Sequence, residues 1–411
     1  MLQYEEALAR VLAAIPTPKS EQVAFGNADE RILAESVASP IDLPPFDNSA
    51  MDGYAVRASD VVSAKIESPI RLRLIGRVAA GESFSGKITT GCCVRLFTGS
   101  PLPAGADAVV MQEDTKIQPA APDEILVLDA VRPWENVRFR GEDVKRGAML
   151  GAKGDALTVG RLASFAATGC TEVMVARRPE VGILATGSEL REAGQTLEPG
   201  QIYESNRATV AAMVRKCGGI PRIYPIVTDV LENTRLALTD AFNQCDMVVT
   251  SGGVSVGEMD FVKQALAELG GELQFWKVAI KPGRPFVFGC FPTPNHRAST
   301  ADHKLFFGLP GNPISAFVTF VLLVRPAILQ WQGASEVGLM QHAGVLAEPL
   351  GNQGERRHFM RVRVNQEGKV YSAGFQASHI LSSLATANGL VDVPPQTTFA
   401  SGTTVQVLRW D

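Results

Sequence analysis

The sequence predicts a multidomain protein of the α/β plus β class, in which one α/β domain lies between two β-rich segments. Three observations support this prediction. The chain has 411 residues, more than a single typical core holds. Strand and helix patterns alternate between residues 178 and 330, as in α/β domains with a largely parallel sheet. On both sides, short alternating runs separated by glycine and proline are typical of small β domains.

The N-terminal part combines helical and β patterns. Apolar residues at helical spacing between positions 8 and 15 predict a helix that ends at Pro16. Residues 41–147 contain alternating runs at 70–76, 93–97 and 125–128, which predict a small β-rich domain. A helical pattern follows from residue 157 and ends at Gly169.

The α/β segment and the C-terminal segment follow in order. Strands are predicted at 181–185, 223–227, 247–250 and 305–308, and helices at 209–216, 232–242, 261–269 and 314–329. After Gly333 the β pattern returns, with strands at 360–364, 370–375 and 404–408. Ligands of open α/β sheets bind beyond the carboxyl ends of the strands, so the loops there are the first candidates for a site.

One such loop is glycine-rich and joins a predicted strand to a predicted helix. It reads T-S-G-G-V-S-V-G-E-M-D over residues 250–260 and is neither a P-loop nor a dinucleotide-binding motif. Backbone N–H groups and a helix terminus in this arrangement suit a phosphate. Glu258 and Asp260 would repel a bare anion unless a divalent metal lay between them. The alternative is an ordinary turn in which Asp260 caps the helix.

Three acids follow predicted strands in the same way. Glu189, Asp229 and Asp260 would meet at one sheet edge and suit magnesium coordination shared with a substrate phosphate. The loop G-L-P-G-N-P-I-S at 308–315 adds a second turn at a helix start, with anion-binding geometry. The alternative interpretation is three unrelated caps, because Asp and Glu are common after strands.

A cationic turn is predicted at 275–285, F-W-K-V-A-I-K-P-G-R-P. Pro282 and Gly283 suit the centre of a type II turn, which would present Lys281 and Arg284 together to an oxyanion. A solvated hairpin tip is the alternative. Two polar loops of the β-rich segment, at 46–56 and 138–143, are explained locally by Asx-type turns and salt bridges.

Composition excludes several classes of function. The net charge of −4 argues against nucleic acid or an anionic membrane as the main partner. The six cysteines form no C-x-x-C pair and the five histidines show no ligand spacing, so neither a zinc site nor a Ser-His-Asp triad is supported. No signal peptide is visible, and the apolar run 314–324 is too short to span a bilayer. We therefore expect a cytoplasmic protein.

Taken together, five motifs resemble those of the molybdenum-insertion enzymes of molybdenum cofactor biosynthesis, the bacterial MoeA family, to which the E domain of gephyrin also belongs. They are F-D-N-S-A-M-D-G-Y-A-V, R-G-E-D, S-G-G-V-S-V-G-E-x-D, K-P-G-R-P and G-L-P-G-N-P-I-S, in the family's order over nearly the whole chain. The resemblance implies magnesium-dependent insertion of molybdenum from molybdate into adenylylated molybdopterin, with release of AMP.

The resemblance also implies an architecture. Members are elongated homodimers whose sites are built between subunits, with transient contacts to other cofactor-biosynthesis proteins. Four domains are expected: 1–45 with 145–176, a β-rich domain at 46–144, a doubly wound MogA-like molybdopterin-binding domain at 177–330, and a C-terminal β-barrel-like domain at 331–411.

Carried over by motif, the resemblance assigns residues to roles. The expected catalytic acids are Asp52, Asp143, Glu189, Asp229 and Asp260, of which Asp229, Asp260 and Glu189 are the expected metal ligands. The expected substrate-binding residues are Thr98, Arg138, Ser251, Gly252, Gly253, Lys277, Lys281, Arg284, Pro310, Gly311, Asn312, Pro313, Arg356 and Ser378. The family often has Lys at the position of Arg284, and Gly-Arg followed by an acid where this chain has Glu355-Arg356-Arg357-His358. No role is assigned to the polar insertion at 292–303.

Two other functions remain open. The α/β domain also resembles molybdopterin adenylyltransferases, but these are compact single domains without β-rich flanks. A non-catalytic scaffold of the gephyrin E-domain type is the other alternative, and the retained acids and lysines argue against it. Pyrophosphate release from ATP and molybdopterin would identify the first alternative, and absence of AMP formation would indicate the second.

Overall fold

The computed structural model describes residues 1–79, 81–253, 261–292 and 303–410. The chain forms two compact units. The first unit comprises Met1–Glu35, Lys153–Leu157 and Glu172–Asp411, and the second comprises Ser36–Ala152 and Thr158–Thr171. The chain thus leaves the first unit twice to build the second. The predicted division into four domains stays a prediction.

The secondary structure of the described residues mixes helices and strands. The α-helices are α1 Tyr4–Ala13, α2 Ala58–Val61, α3 Val159–Ala167, α4 Asn206–Lys216, α5 Leu231–Gln244, α6 Phe261–Glu268, α7 Pro313–Thr319, α8 Arg325–Trp331 and α9 Ser382–Thr386, with 3-10 turns at Phe25–Asn27 and Gln112–Asp114 and a π turn at Phe320–Val324. The strands are β1 Ser20–Ala24, β2 Val37–Ala38, β3 Asn48–Ser49, β4 Gly53–Val56, β5 Ile70–Val78, β6 Cys92–Leu96, β7 Ala108–Met111, β8 Thr115–Gln118, β9 Ala121–Val127, β10 Val137–Arg138, β11 Met149–Gly151, β12 Glu172–Ala176, β13 Glu180–Ala185, β14 Leu190–Arg191, β15 Ile202–Tyr203, β16 Ile220–Ile223, β17 Met247–Ser251, β18 Glu272–Lys277, β19 Ile280–Lys281, β20 Pro285–Pro292, β21 His303–Leu309, β22 Met340–Leu346, β23 Leu350–Asn352, β24 Arg357–Val364, β25 Lys369–Ser372, β26 Gly389–Val393, β27 Thr397–Phe399 and β28 Thr404–Arg409.

The first unit is built around a six-stranded sheet of order β16-β13-β17-β21-β20-β18. The first four strands are parallel, and β20 and β18 add an antiparallel edge. Side chains alternate between the two faces with period two. On β17, Met247 and Val249 pack in one core, whereas Val248 packs in the other. The predicted α/β plus β class and the largely parallel sheet are confirmed.

Helices cover both faces of this sheet because each carries an apolar stripe. On one face lie α1, α4 and the helical segment from α7 to α8, and on the other lie α5 and α6. The segment Pro313–Trp331 is long and apolar enough to cross a membrane by length and composition, but 72% of its most apolar window is buried inside the protein. Helices that form the core of a globular protein meet the same criterion.

One predicted strand is misplaced. The sequence predicts a strand at 223–227, but the strand observed is β16, Ile220–Ile223. Pro225 lies within the predicted range, and the ladder with β13 is interrupted around it. Pairing resumes only at an isolated bridge between Val227 and Thr186. Pro221 is tolerated within β16 because β16 is an edge strand, paired only with β13.

The C-terminal part of the first unit is a closed β structure. Strands β24, β25, β22, β28 and β26 pair in a ring, because β26 also pairs with β24. Apolar side chains such as Met360, Val391 and Val407 fill its interior. The short strand β19 joins this sheet in parallel with β24, and Lys281 thereby pairs with His358. The cationic turn is thus attached to the barrel.

The second unit contains its own six-stranded sheet, of order β7-β4-β6-β5-β9-β8. Two apolar clusters lie on it, one around Tyr54 and Val110 and the other around Val94 and Leu96. This sheet confirms the β-rich character that the sequence predicts for residues 41–147. The loops at 46–56 and 138–143 meet in a short ladder, in which Arg138 pairs with Asn48.

Candidate active site

A cavity of about 540 Å³ lies at the carboxyl ends of the parallel strands of the first unit. Several strand-end loops line it, as the topology of an open α/β sheet requires. The lining residues are Ala185, Thr186, Gly187, Glu189, Leu190, Ile202, Tyr203, Glu204, Ser205, Asn206, Asp229, Ser251, Gly252, Gly253, Pro285, Pro310, Gly311, Asn312 and Pro313. We call this space the acidic cavity, because Glu189, Glu204 and Asp229 contribute to its wall.

Two glycines at the end of β17 allow the loops of the acidic cavity to approach closely. Gly252 and Gly253 have φ angles of +87° and +66°. A Cβ on Gly252 would lie 2.5 Å from the carbonyl oxygen of Thr186, and one on Gly253 would lie 2.5 Å from Cγ2 of Val262. Both the backbone conformation and the space therefore require glycine. Glu258 and Asp260, predicted in the same loop, lie outside the described residues.

Glu189 and Asp229 reach the acidic cavity from neighbouring strand ends. The Oδ2 of Asp229 accepts a hydrogen bond from the backbone N–H of Ser188 at 3.0 Å, and the Ser188 hydroxyl accepts one from the N–H of Asp229 at 3.2 Å. This reciprocal pair joins the two loops. Within residues 1–79, 81–253, 261–292 and 303–410, no group of three or more His, Cys, Asp or Glu side chains is placed to hold a metal ion.

Asn206, which the sequence analysis did not single out, joins two loops of the acidic cavity. Its buried side-chain amide donates to the Ser251 hydroxyl at 2.7 Å and to the Gly311 carbonyl at 2.7 Å. Glu204 caps α4, accepting from the backbone N–H groups of Asn206 and Arg207 at 2.6 and 2.9 Å. The run E-S-N at 204–206 before an apolar-periodic helix is a capping signal, but it does not indicate a role at a site.

A second cavity, of about 830 Å³, adjoins the first. Cations dominate its wall, with Lys281, Arg284 and Arg356, and Ser378 also contributes. We call it the cationic cavity. Pro285, Pro310 and Asn312 line both cavities, so the two spaces share a wall built from the 308–315 loop and the cationic turn.

At Gly283, the backbone of the cationic turn has the positive φ angle that the predicted type II turn requires. Gly283 has a φ of +99°, and a Cβ there would lie 2.3 Å from Cγ2 of Thr319. Pro282 and Gly283 are buried, whereas Lys281 and Arg284 on either side are exposed. The peptide bond between Lys281 and Pro282 is cis. Both cations therefore lie on the rim of the same cavity, on a turn fixed by packing beneath it.

Arg356, just before β24, and Arg357, the first residue of β24, have different environments. Arg356 lines the cationic cavity and donates through Nη1 to the Ile280 carbonyl at 2.9 Å. Burial, followed by the charge of Arg284, lowers the pKa of Arg356. Arg357 is instead held by the carboxylates of Asp392 and Glu5. Arg356 is thus the arginine that the chain presents to a ligand of this cavity.

The loop that carries Ser378 is held from below by a buried arginine. The side chain of Arg361, 0% exposed, donates through Nε to the Ser383 hydroxyl at 2.8 Å. Its Nη2 donates to the carbonyls of Phe375 and Ala377 at 3.0 and 3.2 Å. Above them, Nδ2 of Asn312 donates to the hydroxyl of Ser378 at 3.3 Å, linking this loop to the wall shared by the cavities.

Histidines enter the cationic cavity although their spacing in the sequence predicts no site. His358 and His379 both line it. His358 is 2% exposed, and its Nε2 has no hydrogen-bond partner in the part of the chain that the structure describes. Burial, followed by the charges of Lys281, Arg361 and Arg356, lowers the pKa of His358 to about 4. His358 is therefore neutral near pH 7 when the cavity holds no anion.

Comparison with known proteins identifies the family. Three family models match consecutive parts of the chain: the MoeA N-terminal region (domains I and II) at residues 2–169, a probable molybdopterin binding domain at 182–330, and the MoeA C-terminal region (domain IV) at 343–410. A molybdopterin molybdenumtransferase of Haemophilus influenzae is 38% identical over 394 residues, which cover 94% of this chain and 93% of that protein. The chain belongs to the molybdopterin molybdenumtransferase family.

Other relatives agree with this assignment. A molybdopterin molybdenumtransferase of Bacillus subtilis is 35% identical over 412 residues, covering 99% of this chain and 94% of that protein. The crystal structure of a molybdopterin biosynthesis MoeA protein from Pyrococcus horikoshii OT3 matches with a TM-score of 0.83 and 32% identity, covering 100% of both chains. The resemblance to the MoeA family that the motifs indicate is confirmed.

The second unit carries the remaining residues that the family motifs single out. Both the backbone N–H and the hydroxyl of Thr98 donate to Oδ1 of Asp52, each at 2.8 Å. These two hydrogen bonds lower the pKa of Asp52. Arg138 and Asp143 are exposed in the loop 138–143. The Asp52 carboxylate is thus held by Thr98, 46 residues further along the chain, and not by an Asx-type turn of its own loop. The catalytic roles of Asp52 and Asp143 and the substrate-binding roles of Thr98 and Arg138 stay predictions.

Within the first unit, the residues predicted from the family motifs lie in two groups. Glu189, Asp229, Ser251, Gly252, Gly253, Gly311 and Pro313 line the acidic cavity alone, Lys281, Arg284, Arg356 and Ser378 line the cationic cavity alone, and Pro310 and Asn312 line both. Lys277, at the end of β18, is half-buried and lines neither cavity. The structure therefore brings together most of the predicted substrate-binding residues but leaves Lys277 outside them.

Proposed function

We propose that this protein transfers molybdenum from molybdate to adenylylated molybdopterin, releasing AMP in a magnesium-dependent reaction. The observation that carries the proposal is the wall that the acidic and cationic cavities share at Pro285, Pro310 and Asn312. A phosphate ester in one cavity and an oxyanion in the other would lie side by side. The name of two relatives, molybdopterin molybdenumtransferase, supports the transfer of molybdenum to molybdopterin.

The acidic cavity suits the phosphates of the adenylylated substrate. Helix α7 begins at its wall with Pro313 at the first turn and no side-chain cap, so its N–H groups and positive end are available to an anion. The backbone at Gly252 and Gly253 carries no Cβ atoms, which allows a phosphate to approach it closely. Asn206 fixes the distance between these two loops through Ser251 and Gly311. In this account, backbone N–H groups of the acidic cavity hold the substrate phosphates, and no Lys or Arg side chain is needed there.

Magnesium is consistent with the donors present. Mg²⁺ is usually bound by one or two carboxylates together with substrate phosphates and water. Glu189 and Asp229 both line the acidic cavity and supply two such carboxylates, and Asp260 is a third candidate outside the described residues. Asp229 accepts from Ser188 through Oδ2, which orients its carboxylate. A bound Mg²⁺ would offset phosphate charge and polarise the phosphorus.

The cationic cavity suits molybdate. Lys281 and Arg284 approach from the turn, Arg356 approaches from the barrel, and Ser378 offers a hydroxyl. Charge-assisted hydrogen bonds from such groups hold a tetrahedral oxyanion, and a fixed neighbour converts a bimolecular encounter into an oriented one. Hydrolysis of the phosphoanhydride bond consumes one water. AMP then leaves from the acidic cavity, while the molybdenum stays with the pterin.

The family resemblance further supports two expectations: that the protein forms a homodimer, and that it is located in the cytoplasm. A homodimer would have twice the chain mass of 43.9 kDa in light-scattering chromatography. A monomeric mass at assay concentrations would contradict this part of the proposal.

The function is tested by supplying adenylylated molybdopterin, molybdate and Mg²⁺ and measuring AMP and molybdenum bound to pterin. The proposal expects AMP formation that requires both molybdate and Mg²⁺. A second reaction with ATP and bare molybdopterin serves as the counter-test. Pyrophosphate release in that reaction, without AMP formation in the first, would indicate an adenylyltransferase and overturn the proposal.

A further inference from the structure

The imidazole of His358 is a buried polar group whose Nε2 has no partner in the ranges that the structure describes. Its side chain lines the cationic cavity, and the residue is 2% exposed. A buried polar atom without a hydrogen bond is destabilising, so such atoms are uncommon unless a ligand or water completes them. His358 lies on β24 beside Lys281 of β19, on the floor of the cavity that we propose for molybdate.

The charged groups around His358 come from each element packed against it. Lys281 lies on β19 and Arg284 follows in the cationic turn. Arg356 immediately precedes β24, and Arg361 follows His358 along that strand. Glu348 and His379 line the same cavity. On β26, which pairs with β24 at Val393, Asp392 is occupied by Arg357. Positive charge therefore dominates around the imidazole.

We propose that His358 is a ligand of the oxyanion in the cationic cavity, and that it binds a proton from solvent when the oxyanion enters. This inference rests on the proposed function, because it deepens the role of the same cavity. The neutral imidazole of the empty cavity becomes an imidazolium that donates Nε2–H to an oxyanion oxygen. The balance is one neutral imidazole, one solvent proton and one dianion on one side, and one hydrogen-bonded ion pair on the other.

The physical reason is a reversal of charge around the imidazole. In the empty cavity, burial and three cations disfavour the imidazolium and lower the pKa of His358. A dianion held by the same cations replaces repulsion with attraction, so the pKa rises when the oxyanion binds. By linkage, oxyanion affinity must then increase as the pH falls, by up to about tenfold per pH unit between the two pKa values.

The inference is tested by isothermal titration calorimetry of sodium tungstate and of sodium molybdate into the full-length protein. Titrations in buffers of low and high ionisation enthalpy, from about pH 6 to about pH 8, report proton exchange on binding. We expect wild-type protein to take up a fraction of a proton per oxyanion, and the dissociation constant to fall as the pH falls. His358→Gln keeps an N–H donor that cannot titrate, so it should bind without proton uptake and with weaker pH dependence.

His379→Gln is the matched control, because it removes the other histidine of the cavity. Proton uptake that persists in His358→Gln, or that disappears in His379→Gln, would overturn the inference. Binding of tungstate and molybdate by wild-type protein without proton uptake would overturn it while leaving the proposed function intact. Absence of binding would overturn the oxyanion role of the cavity itself. If His358→Gln fails to fold, NMR titration of the wild-type His358 ring with and without tungstate decides, because the pKa must rise on binding.

Discussion

The side-chain amide of Asn206 donates hydrogen bonds to the hydroxyl of Ser251 and to the carbonyl of Gly311, each at 2.7 Å. One residue at the start of α4 thus connects the end of β17 with the loop before α7. Because Asn206 is 8% exposed, water does not replace these bonds easily. The spacing of the two loops that we propose to hold the substrate phosphates depends on this amide.

Asn206→Ala should therefore lower both the stability of the fold and the affinity for the substrate. The substitution leaves the Ser251 hydroxyl and the Gly311 carbonyl without this donor, at a cost of about 2 kcal/mol in the free energy of unfolding. Urea denaturation measures the loss of stability, and the KM for adenylylated molybdopterin should rise. Asn243→Ala, at an exposed position near the end of α5, is the control. Equal behaviour of the two variants would contradict the role of Asn206.

Gly252→Ala should be much more damaging than Gly270→Ala. Both glycines have positive φ angles, +87° and +79°, so both substitutions carry the same backbone strain of about 1 kcal/mol or more. Only at Gly252 does the added Cβ meet backbone, since it would lie 2.5 Å from the carbonyl oxygen of Thr186, whereas nothing lies within 4 Å at Gly270. We expect Gly252→Ala to lower the urea midpoint further and to reduce AMP formation. If the two midpoints shift equally, the clash is not real.

The sequence predicts most of the α/β sheet because periodicity reports burial directly. The buried runs of β13, β17 and β21 and the apolar faces of α5 and α6 are local features, and they are found where the pattern indicates. The error at β16 arises because the apolar run 223–227 does not mark the paired residues: the ladder with β13 covers residues 220–223 and resumes only at the isolated bridge from Val227 to Thr186.

The Asp52–Thr98 pair of the second unit can be tested by pH. Hydrogen bonds from the N–H and the hydroxyl of Thr98 lower the pKa of Asp52 from 3.8. A depressed carboxyl pKa contributes stability above the unfolded pKa, and that stability is lost as the pH falls through the folded pKa. Thr98→Val removes the hydroxyl donor, so carboxyl NMR titration should show a higher Asp52 pKa. Thr115→Val, which removes another exposed hydroxyl of the same unit, should leave it unchanged.

The buried neutral His358 also predicts a loss of stability at low pH for the protein without oxyanion. Its pKa is lowered from 6.5 to about 4 in the folded state, so the unfolded chain binds more protons between these values. Stability therefore falls as the pH falls through this window, by up to about 1.4 kcal/mol per pH unit. The free energy of unfolding should be measured for wild type and for His358→Gln at several pH values. As the pH falls from about 6.5 to about 4, wild type should lose stability relative to the variant. A difference that is constant with pH would refute the buried neutral state.

The site could be predicted only where chain-local signals exist. Parallel strand ends meet at one sheet edge, so the convergence of Glu189 and Asp229 follows from topology. The surroundings of His358 depend on the pairing of β19 with β24, two strands far apart in sequence, and no spacing rule reports such a contact. Lys277 is the last residue of β18, ahead of the bend at Pro282 and Gly283, and only the observed register places it outside both cavities.

The central claim is that the acidic cavity holds the adenylate with the help of a charged Asp229. Molybdate-dependent AMP formation by Asp229→Asn tests it most directly, because the amide oxygen can still accept from the Ser188 N–H and only the charge is lost. Asp240→Asn, at an exposed position of α5, is the control. The account predicts that AMP formation falls by about 10²- to 10³-fold in Asp229→Asn while the control keeps wild-type activity. Wild-type AMP formation by folded Asp229→Asn would contradict it.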